Sequence, residues 1–398
     1  MKIAIIGGGI GGLSAALALL EAGLDVEVYE QARRFGEIGA GIQISPNASR
    51  LLHRLGLKPA MDKCGVRPLA VHQKRWDDGR TLQRAPLGPE VEARFDAPYY
   101  HFHRGDLAAL LADALPTERA HADHRLVGVE EKGERVIGRF DNGLSIEADL
   151  LIGADGIHSR VRALTFGLEK PRFTGCVAWR GLVPAERIAH LDLEVASHNW
   201  MGPGAHCVHY WVSARRLMNV VCVVEHGTWT NESWTDKGDV ADVLARYEGW
   251  HPTVRGLIAA FPETFVWALH DRAPLSAWTK GRVALLGDAC HPMLPMMAQG
   301  AAQAIEDGAA VASLLKAMPD DVPGALRCYE EVRKPRATRL QEASAANRIR
   351  FHLPDGPEQQ ARDAAMANGG DRSLDAMDWL YGHDAAGLSP RGAGVTTI

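Results

Sequence analysis

Five glycines fall within the six positions from Gly7 to Gly12, directly after the apolar run Lys2–Ile6 and before an Ala/Leu-rich stretch at residues 13–20. The β-branched run predicts a buried parallel strand, the glycines a tight turn and the Ala/Leu stretch a packed helix. Gly7, Gly9 and Gly12 make a GxGxxG spacing, and Glu30 follows the next apolar run, 26–29, at 18 positions beyond Gly12. Each part has a physical job. The glycines permit the turn and let backbone and helix N-terminus approach a pyrophosphate, while a carboxylate at the end of the second strand accepts from ribose hydroxyls. Ile10, Gly11 and Gln31 flank these positions and complete the expected dinucleotide contacts. The pattern implies an α/β, Rossmann-like fold, and by itself it fits FAD or NAD equally.

The 398 residues, 46% of them hydrophobic, suffice for one large or two closely packed domains. A net charge of -5, from 44 basic and 49 acidic residues, provides no extended positive field, so neither nucleic acid nor an anionic membrane is expected as a partner. Lys2 and the apolar run after it superficially resemble a secretory leader, but the clustered glycines would weaken the continuous helix such a leader prefers. No later run has the 18 or more consecutive apolar residues of a membrane span, and the expected location is cytoplasmic. Six cysteines without a CxxC pair suggest reduced thiols rather than a zinc site or disulfide framework.

Further along, helices are expected over 47–55, after Pro46, and over 106–115. Asp141-Asn142-Gly143 signals a hairpin turn between strands within 136–152. Residues 175–267 read as strand-rich, chiefly at 176–183, 206–212 and 217–224, which makes this stretch the candidate for an inserted substrate-binding sheet. A buried strand at 283–286 precedes a long helical region starting at 299–315. The chain should be helical to about Phe351, irregular beyond it and frayed after Gly387. The expected division is an FAD-binding part in two pieces, 1–170 and 273–350, a mainly β substrate domain at 171–272 and a C-terminal helical tail at 351–398.

Two segments narrow the cofactor. Residues 149–162, containing Gly153-Ala154-Asp155-Gly156, and residues 282–292, containing Gly287-Asp288-Ala289-Cys290-His291-Pro292, resemble two signatures of class A flavoprotein aromatic hydroxylases of the salicylate, 6-hydroxynicotinate and 3-hydroxybenzoate hydroxylase kind. With GxGxxG they give three ordered motifs, and the resemblance spans nearly the whole chain. It implies bound FAD, NADH or NADPH as co-substrate, and oxygen delivered from a C4a-hydroperoxyflavin. It places Gly287 and Asp288 on the flavin's ribityl chain. The helix starting near Gln299-Gly300-Ala301 would then aim its positive end at the ring, where charge develops on reduction. Asp155 and Gly156 would serve FAD and the passing nicotinamide nucleotide. Arg104 would meet the phosphate or ribityl region, and the backbone at Leu126 the adenine. Gly41, Ile42 and Gln43 belong to a loop resembling the family's flavin-facing one, with Gln43 a candidate substrate contact and a backbone-only role equally open. Tail residues 378–382 also resemble the family's ends, and a thioredoxin-like extension is not expected.

An electrophilic oxygen requires an electron-rich ring, typically a phenolate, and therefore a base beside the flavin. Histidine has the suitable pKa. Among 17 histidines, His206 and His209 sit in the strand-rich segment, three positions apart and so on opposite faces, which lets only one line a pocket. The resemblance favours His206 as the residue acting on a substrate hydroxyl, with His209 a candidate substrate contact. His291 belongs to the Gly287-Asp288 motif and is expected to organise that loop. Arg180 is a candidate partner for a substrate carboxylate, with a structural or gating role equally open. Met296, with Met293 and Met297, suggests an adaptable apolar wall. Pro295 stands where 3-hydroxybenzoate hydroxylases tend to have glutamine, which leans the substrate away from 3-hydroxybenzoate.

The expected activity is hydroxylation of a hydroxylated aromatic or heteroaromatic acid by a monomer or homodimer; were the acid salicylate, attack at the carboxyl-bearing carbon would also expel carbon dioxide. Competing readings are a flavin-dependent epoxidase or hydroxylase of a larger natural product, and a non-catalytic flavin-binding protein. A halogenase of this fold would carry a WxWxIP motif, which the sequence lacks.

Overall fold

In the computed structural model of the chain, residues 1–36, 39–227, 237–369, 373–391 and 394–397 are described. Part of the expected strand-rich stretch, 228–236, lies outside them. Lys2–Ile6 is central to a six-stranded sheet, parallel to Leu150–Gly153 on one side and Asp25–Tyr29 on the other. Val283–Leu285 extends the parallel set, while Thr279–Lys280 and Ala120–His121 form the edges. Ile3, Ile5, Leu150, Ile152 and Val283 are fully buried, as expected of a sheet covered on both faces.

The first helix, Ile10–Glu21, starts three residues before the expected 13–20, so Gly11 and Gly12 lie in its first turn. Helix propensity argues against glycine there, and packing overrides it: a Cβ on Gly12 would stand 2.0 Å from the Gly7 carbonyl oxygen. Against this helix lies a second, Gly300–Ala317, whose Gly308 approaches so closely that a Cβ would be 2.6 Å from Ala15 Cα. The helices Pro46–Arg54 and Arg104–Ala114 match the expected segments within two residues.

A second sheet of eight strands runs from Lys237–Gly238 and Thr264–Asp271 through Arg172–Pro184, Leu217–Glu225, Ala205–Val212 and Ser197–Gly202. Its last two strands, Ala70–Arg75 and Thr81–Pro86, come from far earlier in the chain, and Ala70–Arg75 pairs parallel with Ser197–Gly202. The polar run His72-Gln73-Lys74-Arg75 carries little strand signal, and pairing on both sides, with Ser197–Gly202 and Thr81–Pro86, fixes it.

The tail is helical, as the expected division has it, and more regular than the stretch directly after Phe351 suggests. Beyond Phe351, where the long helix Val322–Phe351 ends, come two helices, Pro357–Ala367 and Leu374–Tyr381. Pro357 opens the first, and the Ser373 hydroxyl caps the second by accepting from Ala376 N. Met377, Leu380 and Tyr381 then bury against Phe95 and Tyr99. After Gly387 the chain forms a hairpin, Leu388–Arg391 with Gly394–Thr397, instead of fraying. No helix among the described residues is long and apolar enough to cross a membrane.

Candidate active site

Two adjoining cavities, of about 310 and 390 Å³, share Gly9, Ala154 and Gly156 in their walls. Both fall in the size range of small-molecule sites. The first is built on the glycine turn and is lined by Gly7, Gly9, Glu30, Gln31 and Leu126, with Asp155 packed directly against Gly7. Glu30 Oε2 accepts from Gly8 N at 2.6 Å and Oε1 from Ala32 N at 2.7 Å, which fixes the carboxylate over the turn. Gly12 lies behind the wall and acts through packing. Asp155 is committed elsewhere in part. Its carboxylate accepts from the Ser159 hydroxyl (2.5 Å) and from Arg160 N (2.6 Å), holding the start of the helix Arg160–Thr165. Arg162 Nη1 then donates to Ala289 O at 2.7 Å, which ties the Asp155-Gly156 loop to the Gly287-Asp288 loop.

The second cavity continues past Gly9, Ile10 and Gly11 to Gly287 and Asp288, and to the loop carrying Gly41, Ile42 and Gln43. Arg104 also reaches it. Asp288 opens onto the cavity but is otherwise enclosed by protein, and this burial raises its pKa, with His291 and Arg104 opposing. A carboxyl so placed favours hydroxyl donors. Gln299, Gly300 and Ala301 bring a helix N-terminus to the same wall. The Gln299 side chain turns away, donating to Ser45 Oγ at 2.8 Å, so the helix offers backbone amides. Gly41 is needed for close passage: its N–H donates to Asn219 Oδ1 at 2.7 Å, and a Cβ there would meet Asn219 and Tyr210 at 2.6 Å.

Behind the helix N-terminus lies a buried ionic network. His291 bonds Asp307 at 2.6 Å, Gly287 N donates to Asp307 at 2.9 Å, and Arg333 Nε donates to the other Asp307 oxygen at 2.8 Å. Arg333 also pairs with Glu306, which Arg336 engages at 2.8 Å. Burial pushes both acids up, but the surrounding cations outweigh it: Arg333 and Arg336 hold Glu306 down to about 2, and His291 and Arg333 keep Asp307 low.

Beyond the loop, the cavity is roofed by Pro295 and Met296 and walled by the eight-stranded sheet, from which His206, Tyr210 and Arg180 face inward. The Tyr99 hydroxyl donates to Gln43 Oε1 at 2.8 Å, so Gln43 is positioned by its side chain as well as its backbone. Arg180 has no ion-pair partner among the described residues, and its guanidinium lies 4.3 Å over the Trp267 ring. Burial lowers its pKa to about 10, with Tyr210 acting in the opposite sense, so it remains charged at neutral pH. A buried cation of this kind favours an anionic ligand. His206 Nδ1 is 2.7 Å from His352 Nε2, which leaves Nε2 to address the cavity.

His209, expected as a substrate contact, is a correction. It points to the opposite face, where it stacks on His198 at 4.7 Å, and His198 in turn stacks on His72 at 4.8 Å across neighbouring strands. Burial, with Lys74 and His72 adding to it, pulls the His209 pKa down to about 3, and burial alone does the same to His101. Unfolded histidine titrates near 6.5, so below that pH the unfolded chain binds more protons than the folded one. Stability is therefore complete above pH 6.5 and is lost progressively as pH falls toward 3. We expect a loss of about 1 kcal/mol from each of these two groups at pH 5.5 relative to pH 7.5, measured by urea denaturation. A flat profile between pH 7.5 and 5 would contradict the burial of these rings.

Sequence reasoning missed Tyr99, Tyr210, Asn219 and His352 as parts of this site. Tyr210 is two positions from Val208 on a cavity-facing strand, so alternation could have found it; the others arrive from distant segments.

The sequence profile of the family described as "FAD binding domain" matches residues 1–344. The 3-amino-4-hydroxybenzoate 2-monooxygenase PtmB3 of Streptomyces platensis is 42% identical over 390 residues, covering 98% of each chain. The 6-hydroxynicotinate 3-monooxygenase of Bordetella bronchiseptica is 39% identical over 350 residues, covering 87% of this chain and 91% of that one. Among solved structures, Klebsiella pneumoniae HpxO complexed with FAD and uric acid superimposes with a TM-score of 0.83 at 29% identity, over 93% of this chain and 94% of that one.

Proposed function

Because this chain belongs to the FAD-binding-domain family of flavin-dependent monooxygenases, we propose that it hydroxylates a phenolic aromatic or heteroaromatic carboxylic acid with NAD(P)H and O2. The observation that carries this reading is one cavity holding the buried cation Arg180 and the imidazole of His206 beyond a glycine-lined cradle. The cradle suits FAD. Gly7 and Gly9 leave room for a pyrophosphate, Glu30 suits a ribose, Asp288 suits a polyol chain, and the Gly300–Ala317 N-terminus suits a ring that becomes anionic. When bound, FAD supplies the passage of electrons from NAD(P)H to oxygen, with one oxygen atom entering the substrate ring and the other leaving as water.

The chain's own residues do the rest. Arg180 binds the substrate carboxylate and thereby orients the ring. His206 Nε2 accepts the phenol proton, which makes the ring electron-rich enough to be attacked. Pro295, Met296 and the methionines beside them exclude water from that face. On this reading segments 1–170 and 273–350 serve FAD and segment 171–272 serves the substrate, with strands within 70–86 joining its sheet.

The test is a panel of 3-amino-4-hydroxybenzoate, 6-hydroxynicotinate, 3-hydroxybenzoate and salicylate, each assayed for stimulated NADH and NADPH oxidation with product and peroxide measured. Stimulation with hydroxylated product is expected for at least one; silence across the panel would remove the reading. His206→Ala is expected to retain FAD, to keep oxidising NAD(P)H with release of peroxide, and to lose product formation by roughly 100-fold or more. Unchanged coupling over a wide pH range would take His206 out of the mechanism.

A further inference from the structure

His206 is linked to the surface by two further side chains that the reaction above does not use. His206 Nδ1 lies 2.7 Å from His352 Nε2, and His352 Nδ1 lies 3.2 Å from Glu225 Oε1. The His352 side chain is 1% exposed and that of Glu225 51%, so the line runs from cavity wall through protein interior to solvent. Three elements hold it in register. His352 caps the helix Val322–Phe351, and its carbonyl accepts from Gly204 N at 3.0 Å in the turn before the strand that carries His206. Glu225 N donates to Gly204 O at 2.8 Å. The Tyr247 hydroxyl fixes the strand from the other side by donating to His206 O at 2.7 Å.

We propose that His206, His352 and Glu225 form a proton relay carrying the substrate's phenolic proton from the closed cavity to solvent, an inference that rests on the hydroxylase reading above. In the starting state His206 Nδ1–H donates to His352 Nε2, and His352 Nδ1–H donates to the Glu225 carboxylate. The phenol O–H bond breaks as its proton joins His206 Nε2. The Nδ1 proton of His206 passes to His352 Nε2, the Nδ1 proton of His352 passes to Glu225, and Glu225 releases one proton to water. No net charge is left on either ring. The same path run in reverse returns a proton to the product phenolate and resets both tautomers.

The surroundings require a path rather than a store. Burial, with His352 adding to it, lowers the His206 pKa well below its ordinary value, so a proton cannot rest there at neutral pH. Burial also lowers that of His352, which Glu225 opposes. Arg348, which donates to Thr174 O at 2.7 Å, disfavours a second cation at His352 as well, and Cys176 also lies beside Arg348 and Glu225. On the cavity side Arg350 shares the wall with Phe351, whose ring lies edge-on to His206. His352 and Glu225 are positioning and conducting residues and do not touch substrate.

The test mixes FAD-loaded enzyme with 3-amino-4-hydroxybenzoate, or whichever panel member gives product, at pH 7 in weak buffer with a pH indicator. Free phenols ionise near pH 10, so a proton appears only if the enzyme ionises the bound phenol. Wild type is expected to release one proton per site rapidly. Glu225→Gln and His352→Gln are expected to slow that release at least tenfold with unchanged substrate Kd and flavin spectrum, and Glu225→Asp or added imidazole to restore part of the rate. Should His352→Gln misfold, the surface variant Glu225→Gln decides alone. Wild-type release with Glu225→Gln and His352→Gln unaffected would overturn the relay and leave the hydroxylase reading standing. If no panel member gives a proton or product with wild type, both fall.

Discussion

Replacing Gly12 by alanine is expected to yield a folded but largely colourless protein that no longer retains FAD through purification. A Cβ at this position would stand 2.0 Å from the Gly7 carbonyl oxygen and 3.3 Å from Ala154 Cβ. The first obstacle is backbone, which has no rotamer to escape into, so the helix Ile10–Glu21 must back away from the turn. That displacement moves the amides that would face a pyrophosphate. Overpacking of this kind costs about 1–3 kcal/mol, and if it falls on the bound state the FAD Kd rises roughly 5- to 150-fold. Gly11→Ala is the control. Its Cβ would meet Ala304 Cβ at 3.0 Å and Leu286 Cδ1 at 3.1 Å, an overlap of a few tenths of an ångström against the 2.0 Å approach at Gly12, and a much smaller loss is expected. The measurement is flavin titration of the apoprotein followed by fluorescence. A Gly12→Ala protein with wild-type affinity would show that the close helix–turn approach is not what shapes the cradle.

The contrast between Gly12 and other residues of the site shows which physics a sequence exposes. The turn was legible because GxGxxG and Glu30 act over short spans, where spacing and geometry are nearly the same thing. His206 was half legible. Strand alternation puts His206 and His209 on opposite faces, but which face meets the cavity depends on pairing His209 with His198 and His198 with His72, two registers set by distant segments. Residues 70–86 were passed over for the same reason, since their polar strand is recruited by Ser197–Gly202. His352 was invisible because a helix end approaches a sheet turn through tertiary contact alone. The tail beyond Phe351 was legible as helical but not in its bounds, because its last short helix is stabilised by burial against Phe95 and Tyr99 more than by its own pattern.

Charge is the hardest case, since charged residues are expected at the surface and the Gly300–Ala317 helix buries Glu306 and Asp307 completely. Their partner is Arg333, itself 0% exposed, from the helix Val322–Phe351. Arg333→Met is expected to destabilise the protein by about 3–5 kcal/mol, because it removes one cation and leaves two buried carboxylates sharing Arg336, His291 and neutral donors. The damage should extend to function. Asp307 also accepts from Gly287 N and His291, so the network fixes the Gly287-Asp288 loop relative to the helix N-terminus at the cavity wall. Urea denaturation of the FAD-free protein reports the stability loss, and flavin titration reports the loosened loop. A double variant, Arg333→Met with Glu306→Gln, separates causes: if the unpaired charge is the penalty, the second substitution should recover part of the loss. A single variant within about 1 kcal/mol of wild type would mean that Arg336 on Glu306 and His291 on Asp307 compensate the two acids without Arg333.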